Sequence, residues 1–104
     1  GCIACHNGPA LGGQMYQKLG LVKPYPSKDL GRYVVTKSEA DRFLFKVPSL
    51  RNIGMTGPYF HDGSVGTLDR AVELMAEHQL GKTLTSSETE SLVAFLHSLT
   101  GELK

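Results

Sequence analysis

Cys2 and Cys5 stand three positions apart, and His6 follows the second cysteine directly. Two thiols at this spacing with an adjoining imidazole form the c-type haem attachment signal. On a helical turn, residues three apart share a face, so each thiol can form a thioether with a haem vinyl group. His6 is then presented toward the iron as its proximal ligand. Other chemistries fit less well. A zinc site needs about two further Cys or His ligands in a matching knuckle, and the chain has only 2 cysteines. A thioredoxin-like pair expects a strand before the motif and a helix after it. Here the motif starts at residue 2, and Asn7-Gly8-Pro9 breaks a helix. A plain disulfide leaves His6 unexplained.

A haem that only transfers electrons takes ligands on both faces of its iron, and methionine sulfur on the far side raises the potential. Met15, Met55 and Met75 are the candidates. Met15 lies close to His6 along the chain, too close to wrap to the opposite face. Met55 sits in the loop Gly54-Met55-Thr56-Gly57-Pro58, and Met75 sits on an expected helix. From the residues alone both remain open, and a methionine is more often core filling. His61, His78 and His97 also carry ligating nitrogens, although a lone His on a helix or loop is more often a surface residue.

These residues must be held by short elements. Gly8 to Lys28 is rich in Gly and Pro and reads as loop wrapping one haem edge. Tyr33-Val34-Val35 reads as a short extended piece. Thr36 with Glu39 has the capping-box pattern and is expected to open a short helix toward Phe43-Leu44-Phe45. Pro48 to Ile53 reads as another short helix with proline in its first turn, and 54–66 reads as loop. Thr67 is expected to cap a helix through about Gln79, ended by Gly81, with Leu68, Ala71, Val72 and Met75 on one face. Thr85 and Glu88 form a second capping box for a last helix with Leu92, Phe95, Leu96 and Leu99 on one side, stopping at Gly101.

The bulk numbers agree with one small domain over residues 1–104. A chain of this size buries a modest share of its surface, and a large apolar cofactor would add to its core. Apolar residues make up 40% and charged residues 20%, as in ordinary globular proteins. No apolar run approaches the ~20 residues that a membrane-spanning helix needs. The net charge of +1 hides an asymmetry. Residues 1–52 hold eight Lys or Arg against three acids, whereas residues 53–104 hold three against seven. A basic half around the attachment motif can steer an acidic redox partner. Without a dense basic run or interleaved aromatics, nucleic acid is not indicated. In small haem proteins of the cytochrome c type, the last helix packs on a helix that precedes the attachment motif. That helix is absent here, so the apolar face of 92–99 is expected to lack a partner, as in a piece of a larger chain.

At Pro48-Ser49-Leu50-Arg51-Asn52, Pro58-Tyr59-Phe60-His61-Asp62-Gly63 and Gln79-Leu80-Gly81 the sequence closely resembles the bacterial di-haem cytochrome c peroxidases. Leu11-Gly12-Gly13-Gln14, the Gly31-Arg32-Tyr33 turn and Val93-Ala94-Phe95-Leu96-His97-Ser98-Leu99 match as well, so the likeness runs along nearly the whole chain. The chain looks like the C-terminal, high-potential haem domain of such a protein. The resemblance implies an all-α, cytochrome c-like fold of short helices and long loops around one covalent haem c. It matches Cys2 and Cys5 to the thioether cysteines, His6 to the proximal ligand, and Met75 rather than Met55 to the distal ligand. It implies calcium at the domain interface, held partly by backbone carbonyls of the loop with Thr56 and Pro58. Arg51 is a further candidate, for a haem propionate, since arginine binds carboxylates in bidentate fashion.

What the resemblance implies for function is a relay. In such a periplasmic, homodimeric parent this domain takes electrons from a small cytochrome c or a copper protein. It passes them to a second haem in the N-terminal domain, where hydrogen peroxide is reduced to water. With His6 and Met75 both on iron, this piece alone is expected to transfer electrons and to be a poor catalyst. Two other functions fit the pattern. One is a related di-haem oxidase acting on a partner protein, a group that resembles this chain but tends to replace the distal methionine. The other is a free-standing electron-carrier cytochrome.

Overall fold

The computed structural model describes residues 1–101. In chain order come a 3-10 turn at Cys2–Ala4, strand β1 (Tyr16–Lys18), the single helical turn α1 (Tyr33–Thr36) and a 3-10 turn at Glu39–Asp41. Strand β2 (Leu44–Lys46), a 3-10 turn at Ile53–Met55, and helices α2 (Leu68–Leu80) and α3 (Ser86–His97) follow. The all-α expectation is therefore corrected. The helices are joined by a two-stranded antiparallel sheet in which Tyr16, Gln17 and Lys18 face Lys46, Phe45 and Leu44.

Several local expectations change, some through local turns and some because long-range partners outcompete local propensity. Tyr33-Val34-Val35 is helical, because the amides of Val34, Val35 and Thr36 turn back onto Gly31 and Arg32 carbonyls. Thr36 ends that turn instead of opening a helix, and its hydroxyl donates to Asp41 Oδ2 at 2.7 Å. Phe43 adopts a left-handed φ of 61°, which halts any helix there and delivers Leu44-Phe45-Lys46 to β1 as a strand. Pro48 to Asn52 is not helical either. The amide of Leu50 goes to Leu11 O at 3.1 Å and that of Asn52 to Leu99 O at 3.1 Å, so the stretch is a strip laid between two neighbours.

The two long helices start where the sequence places them, but α3 ends at His97, ahead of Leu99 and the expected stop at Gly101. Thr67 Oγ1 accepts from the Arg70 amide at 3.3 Å to start α2. Gly81 closes it in the left-handed conformation, with its amide on Glu77 O at 3.1 Å and that of Lys82 on Ala76 O at 2.9 Å. Leu68 and Ala71 are buried, and Val72 and Met75 are half-buried on the same side. In α3 the capping box is complete: the Glu88 amide reaches Thr85 Oγ1 and the Thr85 amide reaches Glu88 Oε1.

The inner line of α3 centres on buried Thr89 and Leu96, with Leu92, Val93 and Leu99 half-buried. Phe95 lies about 100° away around the helix and is 54% exposed, which corrects its expected place in the stripe. The face is not left without partners: α3 packs on α2 and on the Ile53–Met55 turn. Among the described residues the sealed apolar core is small, comprising Val47, Val65, Leu68, Ala71, Ala76 and Leu96, and no large side chain is fully enclosed. No helix among these residues is long and apolar enough to cross a membrane.

Candidate functional site

The attachment motif folds as a turn. The amides of Cys5 and His6 both return to Cys2 O, at 3.2 and 2.9 Å. That geometry sets the two cysteines one turn apart; both are free thiols, Cys2 exposed and Cys5 half-buried. His6 Nδ1 lies 3.0 Å from the carbonyl oxygen of Pro48. A carbonyl can only accept, so Nδ1 carries the hydrogen and Nε2 keeps its lone pair for another partner. Burial holds the His6 pKa below its ordinary 6.5, outweighing the opposing pull of the Pro48 and Leu11 carbonyls. The ring is thus a neutral imidazole whose orientation is fixed from behind, the arrangement that metal-ligating histidines use.

Pro48 is itself held on several sides. The Val47 amide donates to Met15 O at 2.9 Å, and the Gly13 amide donates to Val47 O at 2.7 Å. Ser49 Oγ donates to Ala10 O at 2.5 Å, and Arg51 Nε donates to Pro9 O at 2.6 Å. Gly12 makes the approach possible: its φ is 136°, and a Cβ there would meet Pro48 O at 2.0 Å. On the far side of the strip, Asn52 Oδ1 takes the Gly101 amide at 2.6 Å, joining the end of α3 to the same backbone. Sequence reasoning missed Pro48, Gly12, Ser49 and Asn52 as parts of the site. Their signal lies in the Leu11–Gln14 and Pro48–Asn52 motifs, but the helical pattern of Pro48 to Ile53 conceals it.

The three methionines occupy different places. Met75 is half-buried on the inner side of α2, whereas Met55, in the Ile53–Met55 turn, is 76% exposed. Met15 stands before β1 with its carbonyl used by Val47. The three other histidines have structural partners. The His78 ring is buried, with Nδ1 donating to Lys23 O at 3.0 Å and Tyr25 edge-on at 5.0 Å. The His61 ring stacks on Phe45 at 4.1 Å and meets Ser27 Oγ at 3.2 Å. His97 lies against Gly54.

Arg51 reaches Pro9, close after the attachment turn. Thr56 and Pro58 lie in an exposed stretch that follows the Ile53–Met55 turn, where Thr56 Oγ1 donates to Ile53 O at 3.3 Å. Among the described residues no three His, Cys, Asp or Glu side chains converge as a metal-holding group. The donor set that does exist fits a haem. It offers two free thiols one turn apart, a neutral imidazole with Nε2 available, and a thioether on a half-buried helix face. The small sealed core fits too, since a large apolar group would extend it.

No family model matches the chain. Individual proteins do. It is 55% identical over 104 residues to the cytochrome c551 peroxidase of Nitrosomonas europaea, covering 98% of this chain and 31% of that protein. It is 50% identical over 107 residues to the cytochrome c551 peroxidase of Pseudomonas aeruginosa, again covering 98% of this chain and 31% of that protein. Among solved structures, a MauG-like protein associated with microbial copper homeostasis superposes with a TM-score of 0.81 at 31% identity, over 97% of this chain and 42% of that one. The chain thus spans about a third of the length of the curated relatives it matches. Along nearly all of its own length, the chain is homologous to a part of proteins named cytochrome c peroxidase.

Proposed function

We propose that this chain is the electron-transferring haem c domain of a periplasmic di-haem cytochrome c peroxidase. Cys2 and Cys5 would hold the haem by thioethers, and His6 Nε2 and the Met75 sulfur would ligate its iron. The observation that carries this reading is the bond from His6 Nδ1 to Pro48 O, which leaves Nε2 as a neutral donor on the same turn as the paired thiols. Haem, when bound, supplies a one-electron iron couple. The residues of this chain supply the rest. They orient the imidazole and carry Met75 on the half-buried face of α2, and the basic half of the sequence that contains the attachment motif favours an acidic redox partner. Arg51, already directed at the attachment loop, is proposed for a propionate. Thr56 and Pro58 are proposed to offer backbone carbonyls to calcium only together with a side-chain ligand from the N-terminal domain of the whole protein.

In that whole protein, this domain receives electrons from a small cytochrome c or copper protein. It relays them to the N-terminal haem domain, where hydrogen peroxide becomes water. The test is the absorption spectrum and mass of the oxidised, matured protein. One covalent haem is expected, along with a weak long-wavelength sulfur-to-iron band that Met75→Ala abolishes and Met55→Ala leaves in place. A colourless product, or a band that survives Met75→Ala and disappears in Met55→Ala, overturns the assignment. The MauG-like structural neighbour favours a second reading, a di-haem oxidase acting on a partner protein, and a sulfur band dependent on Met75 counts against it.

A further inference from the structure

We infer that Gln79 is a positioning residue for the iron ligand Met75, acting by clamping the C-terminal turn of α2 to residues 18–23. The inference rests on the haem ligation proposed above. Gln79 follows Met75 by one helical turn, so the two lie on the same side of α2. Its Oε1 accepts from the Gly20 amide at 2.5 Å and the Leu21 amide at 3.1 Å, and its Nε2 donates to Lys18 O at 2.8 Å. Both lone pairs of the side-chain oxygen and one amide hydrogen are therefore committed to one loop.

The neighbouring residues close the same clamp. His78 O accepts from the Val22 and Lys23 amides at 2.9 and 3.0 Å, although carbonyls in the last turn of a helix ordinarily find no partner in the chain. The His78 ring donates to Lys23 O, and the Lys23 ammonium pairs with the Glu77 carboxylate. Val22 lies against Gly81, where an added Cβ would come within 2.9 Å of its side chain.

The clamped loop leads directly to the other side of the site. Lys18 ends β1, β1 pairs with β2, and β2 runs through Val47 into Pro48, whose carbonyl orients His6. The carriers of the two axial ligands are thus joined by an unbroken route of hydrogen bonds and chain. Because the sealed core among the described residues is small, that route is the connection that holds the segments carrying His6 and Met75 relative to each other. A ligand geometry has to be held to roughly 0.5 Å, and supporting hydrogen bonds are the usual means.

The test uses the oxidised, haem-loaded protein and follows two signals during heating, the long-wavelength sulfur-to-iron band and the far-ultraviolet helix signal. In Gln79→Ala the band is lost at a lower temperature than the helix signal. At a fixed temperature, the equilibrium shifts about tenfold toward the band-less form, the size expected for removing supporting hydrogen bonds. Gln79→Glu still accepts from Gly20 and Leu21 but cannot donate to Lys18, so it falls in between and serves if the alanine variant does not load haem. Thr67→Ala, which loosens the other end of α2, lowers both signals together. Joint loss of both signals in the Gln79 variants, or their separation in Thr67→Ala, overturns the inference. A band that survives Met75→Ala overturns the ligand assignment and this inference with it. A band abolished by Met75→Ala but melting with the helix in Gln79→Ala overturns this inference alone.

Discussion

His6 Nδ1 and the Pro48 carbonyl oxygen meet at 3.0 Å across a separation of 42 residues in the chain. Ring and carbonyl are brought together by contacts between residues 9–13, which follow the attachment turn, and the strip from Val47 to Arg51, and Gly12 is the narrowest point of that meeting. A side chain at position 12 would strike Pro48 O from 2.0 Å away and would also sit at a φ of 136°. Gly12→Ala is therefore expected to destabilise the protein by about 2–4 kcal/mol, adding backbone strain to steric displacement. Urea unfolding of the matured protein measures this; an unchanged midpoint would show that the strip yields without cost.

Leu96 and Phe95 are neighbours in sequence with opposite surroundings, one buried and the other 54% exposed. Leu96→Ala is expected to cost about 2–4 kcal/mol through lost burial and a residual cavity. Phe95→Ala should cost under about 1 kcal/mol, as surface substitutions do. Thermal unfolding of the two variants in parallel decides the point, and a larger loss at Phe95 would contradict the placement of the α3 face.

Glu88 gives the start of α3 a pH dependence. Hydrogen bonds from Thr85, backbone first, hold its carboxyl below the ordinary 4.5. The ionised form is therefore favoured by folding, and its contribution is complete above 4.5 and fades as pH falls through the lower folded value. Glu88→Gln keeps the shape and removes the titration. The parent should have the higher melting temperature at neutral pH, and the gap should narrow on acidification. A gap that stays constant with pH would mean that the carboxylate charge does not contribute to the cap.

Much of this arrangement could be read from residue order, for reasons that differ along the chain. The two long helices carry their own start and stop signals in Thr67, Gly81, Thr85 and Glu88, and these act locally. The attachment turn is equally local, with both thiols and the imidazole inside one turn. What sequence could not settle is decided by distant partners. Leu44–Lys46 is a strand because β1 is available to pair with it, and Phe43 at positive φ removes the helical alternative. Pro48 to Asn52 looked helical because proline suits a first helical turn, yet its amides and carbonyls are taken by Leu11, Leu99 and His6. The exposed side of Phe95 escaped notice because a stripe of apolar letters does not tell which edge of a helix meets its neighbour.

So limited a set of sealed side chains also bears on the order of assembly. With little enclosed among the described residues beyond Val47, Val65, Leu68, Ala71, Ala76 and Leu96, the polypeptide gains little from collapsing alone, set against the entropy of ordering its long loops. Porphyrin capture at the first few residues should then precede consolidation of everything downstream. Under limited proteolysis, the uncoloured polypeptide should be cut well before the coloured one, with the earliest nicks in the glycine- and proline-rich stretch between Gly8 and Lys28.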